Sequence, residues 1–323
     1  MKRRVSGGLR HRDDLKNDVV MIGVDLGGTK IAGALVEFPA GEIRAKEIVP
    51  TLPERGGEAV LNDVVNLMMR LKAGAASLGK DIQGIGVGIA ELVDLQGKIT
   101  SDYLIQWRDI RAKERLSRIA RTCFEADVRA AAIAEAFFGA GRGLDNFVYL
   151  TVGTGISHSL VIGGRPYPGA HGNALMIGSE PLTSVCEKCG AIQDQVLEKY
   201  AAGPSLVVRY NRISAASCMT AEEVTSAARQ GDKLAREVVI SAACALGNSA
   251  GFLINILDPE AMIVGGGLGL AGGLYWDTFI AATRRHIGSI VPNDIPILPA
   301  RLGVDAGVIG AAAAIWREID DLP

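Results

Sequence analysis

The chain has 323 residues, of which 48% are hydrophobic and 22% charged, so it can bury a large core and is long enough for two α/β lobes. Its formal net charge of −2 argues against the long-range field that recruits nucleic acid or an anionic membrane. Five cysteines are too few for a disulfide framework, and we find no apolar run long enough to span a bilayer. We therefore expect a cytoplasmic protein whose partners are small molecules or copies of itself.

The first elements in chain order predict a β-hairpin. Residues 1–18 are polar and basic without the apolar stretch of a secretory signal, and we interpret them as a disordered tail. Two apolar runs follow, 19–26 and 31–38, separated by glycines, as in a hairpin. Apolar residues between 61 and 71 then have the spacing of one helix face, and 84–93 is typical of another strand.

The second half of the chain repeats this order. A helical segment, 128–138, precedes two apolar strands, 147–152 and 157–162, which are joined by a second glycine turn. A long helical stretch from about 233 to 257 then leads to a short strand at 261–264. Two such hairpins in one chain indicate a duplicated lobe.

The last helix, 307–319, is rich in small residues, which suits close packing at a hinge between lobes. We therefore predict the following organisation: a disordered tail at 1–18, a small N-terminal α/β lobe at 19–126, a large C-terminal α/β lobe at 127–302, and a C-terminal helix at 303–323 that returns to the small lobe.

The two glycine turns favour a phosphate-binding site. Glycine lets backbone N–H donors approach a phosphate closely because no side chain blocks the ligand. A single Gly-Gly hairpin is more often only a hairpin, but two at corresponding places in two lobes favour a nucleotide. Asp25 precedes the first turn, where a carboxylate can hold a hydrated Mg²⁺ against the phosphates. The predicted phosphate-binding residues are Asp25, Gly27, Gly28, Thr29, Lys30, Gly153, Thr154 and Gly155.

The segment IGVDLGGTKIAGALV (22–36) resembles the first phosphate motif of the ROK (repressor, ORF, kinase) family. VRAAAIAEAFFGAGRG (128–143) with LTVGTGIS (150–157) resembles its following helix and second phosphate motif, and NILDPEAMIVGGGL (255–268) resembles its adenosine-binding segment. The similarity extends from about residue 19 to 316, nearly the whole chain.

The resemblance implies an α/β fold of two lobes, the actin-like ATPase (ribonuclease H-like) fold of the sugar-kinase type. It also implies ATP and Mg²⁺ in the cleft, transfer of the γ-phosphoryl group to a sugar hydroxyl, and a homodimer. It assigns Gly265, Gly266 and Gly267 to the adenosine, where glycines make room for the base and ribose.

Asp127 is the predicted catalytic base, which accepts the proton of the attacking hydroxyl. The family places this residue in an Asn-Asp pair at the start of a helix, and here the pair is Ala126-Asp127. The alternative is that Asp127 only caps the helix that begins at Val128, because aspartate is a favoured N-cap residue. Both roles are compatible.

The acceptor side departs from the family pattern. The usual Pro-Gly is Ala90-Glu91, and the usual Gly-Glu-Ile-Gly-His is the segment 175–179, LMIGS. Hydroxyl recognition needs fixed polar groups, so we expect new contacts from neighbouring residues and an acceptor other than glucose, such as another sugar, an amino sugar or a polyol. The predicted acceptor-binding residues are Glu91, Asp102, Tyr103, His171, Asn173 and Glu180.

A structural zinc ion is not expected. The family pattern combines a histidine with three cysteines, whereas this chain has only Cys186 and Cys189 in that segment. A zinc site needs four ligands, which His158 and His171 complete only in principle.

Two further functions stay open from sequence. A catalytically silent nucleotide-binding or sugar-binding sensor is consistent with the number of substitutions on the acceptor side. A transcriptional repressor of the same family needs a helix-turn-helix domain before the first phosphate motif, where only about eighteen residues precede it, so direct DNA binding is not expected.

Overall fold

The computed structural model describes residues 18–185, 192–215, 217–288 and 294–320. The first part of the chain forms a five-stranded sheet with helices on both sides. Its elements are β1 (Val19–Leu26), β2 (Lys30–Phe38), β3 (Glu42–Pro50), α1 (Gly57–Ser77), β4 (Ile82–Ile89), α2 (Ala112–Leu116), β5 (Thr122–Ala126) and α3 (Asp127–Phe138).

The second part of the chain forms another five-stranded sheet and a small two-stranded one. Its elements are β6 (Asn146–Val152), β7 (Ile156–Ile162), β8 (Arg165–Pro166), β9 (Pro181–Val185), β10 (Ile192–Val196), α4 (Leu197–Ala201), α5 (Gly203–Ile213), α6 (Ala221–Arg229), α7 (Lys233–Leu257), β11 (Ala261–Gly265), α8 (Gly273–His286), β12 (Ile297–Pro299) and α9 (Ala306–Asp320). Strands β9 and β10 pair only with each other among the described residues.

The two large sheets have the same topology. The first has the strand order β3-β2-β1-β4-β5, and the second has β8-β7-β6-β11-β12. In each, the first strand pairs antiparallel with the next in sequence and parallel with a strand that returns after a helical segment. Both hairpins predicted from the glycine turns are therefore present, and the second sheet repeats the first.

Helices α3 and α9 join the two sheets. Helix α3 follows the first sheet in sequence but contacts β7 of the second, whereas α9 follows the second sheet and contacts β1 and β4 of the first. The two helices also pack on each other, and a Cβ on Gly310 would lie only 1.7 Å from the carbonyl oxygen of Ala130. The close packing predicted from the small residues of α9 is therefore present.

Helix α7 corrects one expectation from sequence. It has 25 residues and is long and apolar enough to cross a membrane, so the statement that no apolar run has that length was wrong. More than half of its apolar window is nevertheless buried against the rest of the protein. Its buried face, including Val239, Leu246 and Ile254, belongs to the apolar core of the second sheet, as in the core helix of a globular protein.

Glu135 links the end of α3 to the segment that leads into α9. The residue is 0% exposed, and its Oε1 accepts hydrogen bonds from the backbone N–H groups of Arg301 and Leu302, both at 2.9 Å. Its Oε2 accepts a third from the N–H of Ala140 at 2.6 Å. One buried carboxylate thus satisfies three backbone donors where the end of α3 lies beside the segment that leads into α9.

Glu135→Ala is expected to lower the free energy of unfolding by about 3 kcal/mol, because three backbone donors lose their acceptor in a buried position. Urea unfolding followed by circular dichroism measures the change. The control is Glu237→Ala on α7, where the side chain is exposed and the change should stay within about 0.5 kcal/mol. Equal effects of the two substitutions would contradict the role assigned to Glu135.

Candidate functional site

The first glycine turn, residues 27–30, connects β1 to β2 and is fixed by Thr51. The N–H of Gly27 donates to the carbonyl of Lys30 at 3.1 Å. Thr51 is fully buried; its hydroxyl donates to the Gly27 carbonyl at 2.7 Å and its N–H to the Thr29 carbonyl at 3.0 Å. Thr29 and Lys30 remain exposed, so their side chains are accessible to a ligand.

Asp25 lies near the end of β1 and next to the first turn of α9. A Cβ on Gly307 would lie 2.5 Å from its Oδ2, so only glycine fits beside this carboxylate. Burial raises the pKa of Asp25, while the charges of Lys30 and Lys46 lower it. The N-terminus of α9 also favours a negative charge at this position.

The second glycine turn, residues 153–155, connects β6 to β7. The N–H of Gly153 donates to the carbonyl of Gly155 at 2.9 Å, and the Gly153 carbonyl accepts from the N–H of Gly203 at 2.8 Å. Glu198 accepts from the N–H of Ile156 at 2.9 Å, and a Cβ on Gly155 would lie 2.7 Å from that carboxylate. The start of α5 and the α4 carboxylate thus hold the turn in place.

The run Gly265 to Gly267 serves two different purposes. A Cβ on Gly265 would lie 2.2 Å from the Tyr149 hydroxyl, and one on Gly266, at φ +82°, would lie 2.3 Å from the Val152 carbonyl oxygen. Packing inside the protein therefore requires these two glycines. A Cβ on Gly267 would meet no described atom within 4 Å, and this residue lines an open cavity.

That cavity has a volume of about 790 Å³, which is in the range of small-molecule sites. It lies beside the second glycine turn and between α5, α6 and the segment after β11. Its lining residues are Gly153, Thr154, Gly203, Pro204, Val207, Val208, Met219, Thr220, Ala221, Glu222, Thr225, Arg229, Gly267, Leu268 and Ala271. The lining combines apolar side chains and glycine backbone with polar groups such as Glu222 and Arg229, a mixture that suits a flat base and a polar sugar.

Asp127 is the first residue of α3, not the residue before it. The N-cap position belongs to Ala126, and the Asp127 carboxylate accepts from the N–H of Val128 at 2.7 Å. Burial and the negative charges of Asp25 and Glu91 raise its pKa to about 7, although the Val128 hydrogen bond and Arg129 lower it. A carboxylate with a pKa near neutrality can accept a proton at physiological pH.

Glu91 hydrogen-bonds to the backbone of a loop and does not line an open pocket. The side chain is 4% exposed, and its Oε1 accepts from the N–H groups of Leu104 and Ile105 at 2.6 and 2.8 Å. Its Oε2 accepts from the N–H of Tyr103 at 2.8 Å and from the Ser101 hydroxyl. Four donors occupy both oxygens, so this geometry favours a positioning role over the direct acceptor contact predicted from sequence.

Arg129 is the buried cation next to Asp127, with only 3% of its surface exposed. Its guanidinium pairs with Glu125 and donates to the carbonyls of Gly172 and Val93, the latter at 2.9 Å. Gly172 lies between His171 and Asn173, both of which are exposed. The structure therefore brings these two predicted acceptor residues to a segment that is tied directly to the helix of Asp127.

The other predicted acceptor residues have a less direct connection to the helix of Asp127. Tyr103 is 68% exposed on the loop held by Glu91, and Asp102 accepts from the N–H of Arg108 at 2.9 Å and pairs with its guanidinium. Glu180 follows β8 and contributes its backbone to hydrogen bonds with Ile177 and Leu197. Within the described ranges, no hydrogen bond or ion pair joins Glu180 to the surroundings of Asp127.

The metal expectations have different outcomes. Cys186 and Cys189 lie outside the described residues, so the structure does not test the zinc prediction. Among the described residues, no group of three or more His, Cys, Asp or Glu side chains is arranged to hold a metal. A Mg²⁺ site needs less, because this ion is held by one or two carboxylates together with phosphates and water, and Asp25 at the end of β1, beside the first glycine turn, is such a carboxylate.

Sequence reasoning missed three residues that shape the site: Thr51, Glu198 and Arg129. The first two are polar residues among many, and their contacts with the turns link distant parts of the chain. Arg129 did carry a signal, since a lone arginine in the alanine-rich start of α3 must be paired if its helix is buried.

Comparisons with known proteins agree with this geometry. The ROK family profile matches residues 21–318. The chain belongs to the ROK family. It is 30% identical over 320 residues to a glucokinase of Halalkalibacterium halodurans, covering 92% of this chain and 95% of that protein. It is also 32% identical over 302 residues to the bifunctional enzyme NanE/NanK of Brucella melitensis, of which it spans about half (53%).

The fold is shared with solved structures of the family. A ROK glucokinase from Streptomyces griseus, in complex with glucose and AMPPNP, superimposes with a TM-score of 0.77 at 31% identity, covering 91% of this chain and 98% of that one. The fold of the ROK protein described here is therefore the two-lobed actin-like ATPase fold of the sugar-kinase type, as predicted. This places the chain in the sugar-kinase class.

Gly267→Val is expected to weaken Mg-ATP binding at least about tenfold, because the new side chain enters the cavity without meeting described protein atoms. Isothermal titration calorimetry measures the affinity. The neighbouring Gly266→Val should instead lower the melting temperature or prevent folding, since Gly266 has φ +82° and packs on Val152. Unchanged Mg-ATP affinity in a folded Gly267→Val variant would place the nucleotide elsewhere.

Proposed function

We propose that this ROK protein is an ATP-dependent kinase that phosphorylates a hydroxyl of a sugar or sugar-like acceptor other than glucose. The observation that carries the proposal is Asp127, a mostly buried carboxylate whose pKa is raised to about 7, in electrostatic contact with Asp25 next to the first glycine turn. A proton acceptor of this kind beside a phosphate site is what phosphoryl transfer to an alcohol needs.

The nucleotide side of the proposal rests on the two glycine turns and the cavity. Adenosine would occupy the cavity lined by Gly267, with the phosphates extending toward the N–H groups of the two turns. Asp25 would hold Mg²⁺ through water, and this ion supplies charge neutralisation on the phosphates when bound. Lys30 is exposed beside the first turn, where its ammonium group can contact the same phosphates.

The acceptor side rests on the residues around Asp127. The acceptor hydroxyl would donate its proton to the Asp127 carboxylate as its oxygen attacks the γ-phosphorus; the bond from this phosphorus to the β–γ bridging oxygen breaks and ADP leaves. His171, Asn173, Asp102 and Tyr103 are exposed on the two neighbouring loops and are the candidates for contacts with the other hydroxyls. The same family resemblance supports a cytoplasmic homodimer as a further proposal.

Glucose is proposed to be a poor acceptor because four positions that resemble sugar-binding positions of the family carry different groups. Met176 and Ala126 have apolar side chains, while Tyr103 and Ser179 are exposed. A hydroxyl that loses its partner in a closed site costs about 1–3 kcal/mol. We therefore expect several such losses to make glucose a poor acceptor, although the chain is similar to relatives named glucokinase.

Asp127→Asn should lower kcat by about 10²–10⁴-fold, because it removes the proton acceptor and keeps the shape of the side chain. The affinity for Mg-ATP should change little. Coupled measurement of ADP release with the best acceptor gives kcat, and Asp277→Asn on α8, which is exposed, is the control. An Asp127→Asn variant with near-normal turnover would leave this residue with only a structural role.

The pH dependence of kcat/KM for the acceptor gives a second test of Asp127. The base must be deprotonated, so activity should fall about tenfold per pH unit below its pKa, which is about 7, and should level off above it. An acid limb near pH 4, the ordinary range of an aspartate, would show that Asp127 is not the titrating base.

A panel of sugars, amino sugars and polyols tests the acceptor. Glucose should have a kcat/KM at least about 100-fold below that of the best acceptor, the factor expected from losing two or more hydrogen bonds. Comparable rates would contradict the proposed specificity. If no acceptor stimulates ADP release while a sugar still raises the melting temperature, the protein is a silent sensor and the kinase proposal fails.

A further inference from the structure

Two loops from different sheets meet beside Asp127. One follows β4 and contains Glu91, Val93 and Asp94; the other follows β8 and contains Gly172. Gly172 has φ +82°, and a Cβ there would lie 2.1 Å from the Val93 carbonyl oxygen and 2.8 Å from the Asp94 Cα. The backbones of the two loops are therefore in direct contact, at a position that only glycine allows.

Arg129 ties both loops to the helix that begins with Asp127. One guanidinium nitrogen donates to the Gly172 carbonyl and another to the Val93 carbonyl, while Nε pairs with Glu125 at the end of β5. The planar fork of arginine can bond three acceptors in fixed directions, which a lysine cannot do. Buried at 3% exposure, this side chain fixes two loops and one strand relative to α3.

Glu91 extends the same connection to the next loop. Three consecutive N–H groups, from Tyr103 to Ile105, donate to its carboxylate and form the type of concave backbone site that binds anions. Within that loop, the Leu104 side chain lies 3.2 Å from where a Cβ on Gly28 would be. The loop that Glu91 holds is therefore also in contact with the first glycine turn.

We propose that Glu91 and Arg129 are a pair of positioning residues that hold the loops around the acceptor site in one fixed arrangement relative to Asp127 before any ligand binds. This inference rests on the proposed function, because it takes Asp127 as the base and these loops as the acceptor site. Neither side chain needs to touch the acceptor, since both spend their hydrogen bonds inside the protein. Because the loops are already ordered when the protein folds, acceptor binding does not have to supply the free energy of ordering them, and more of it can contribute to selecting the acceptor.

Four variants separate position from charge. Glu91→Asp and Arg129→Lys keep the charge but change the reach of the side chain, whereas Glu91→Gln and Arg129→Gln remove the charge. All four should raise the acceptor KM at least about tenfold, the effect of losing a buried hydrogen bond. For the Arg129 variants, the KM for ATP should stay within about twofold, because Arg129 contacts neither glycine turn among the described residues.

An unchanged acceptor KM in Glu91→Asp and Arg129→Lys, which keep the charge but change the reach, would overturn the positioning role.

Hydrogen exchange of the ligand-free protein tests the fixed arrangement without any activity. In Glu91→Gln, the amides of Tyr103, Leu104 and Ile105 should exchange at least about tenfold faster than in the wild type, because an amide side chain cannot accept from all of them. Unchanged exchange at these three positions would overturn the inference. If the wild type phosphorylates no acceptor but the exchange changes as expected, the proposed kinase function fails and the positioning role stands.

Discussion

The Asp127 carboxylate lies at the start of α3, near Asp25 of the first sheet and Tyr149 of the second, where a negative charge is costly unless its neighbours offset it. Asp25 and Glu91 add to that charge, whereas Arg129 and the N–H of Val128 offset it. The balance leaves the Asp127 pKa at about 7, close enough to neutrality for proton transfer. Helix α3, which begins at Asp127, and helix α9, whose first turn lies beside Asp25, cross at very short range, which requires small residues such as Gly310 beside Ala130.

The fold could be predicted in some detail from local patterns. Alternation and glycine turns located both hairpins, and the apolar spacing from residue 61 located α1, although the helix begins earlier, at Gly57. Helix α7 was bounded correctly at 233 and 257, but its membrane-like length was overlooked. Periodicity records which face of an element is buried. It does not record which element covers that face, so the exchange of α3 and α9 between sheets needed the structure.

The candidate site could be predicted only in part, for a related reason. Glycine turns and a carboxylate at a helix start are visible in a short window of sequence. The structure places Asp25, next to the first turn, near Asp127, and the second turn beside the cavity lined by Gly267. The supports of the site are single polar residues that bond distant segments, such as Thr51 with Gly27 and Arg129 with Gly172. Glu91 was singled out as an acceptor contact because its segment was recognised, but sequence carries no record of the four donors that surround it.

The account depends most on the protonation of Asp127, which can be measured directly. Carbon-13 NMR of the ligand-free protein, labelled at aspartate carboxyl carbons, follows each titration, and the resonance absent from Asp127→Asn identifies this residue. The account predicts a midpoint close to 7, because burial and two neighbouring carboxylates disfavour the charged form. A midpoint near 4, the ordinary value of an exposed aspartate, would contradict the claim that its buried, negatively charged surroundings make Asp127 a base.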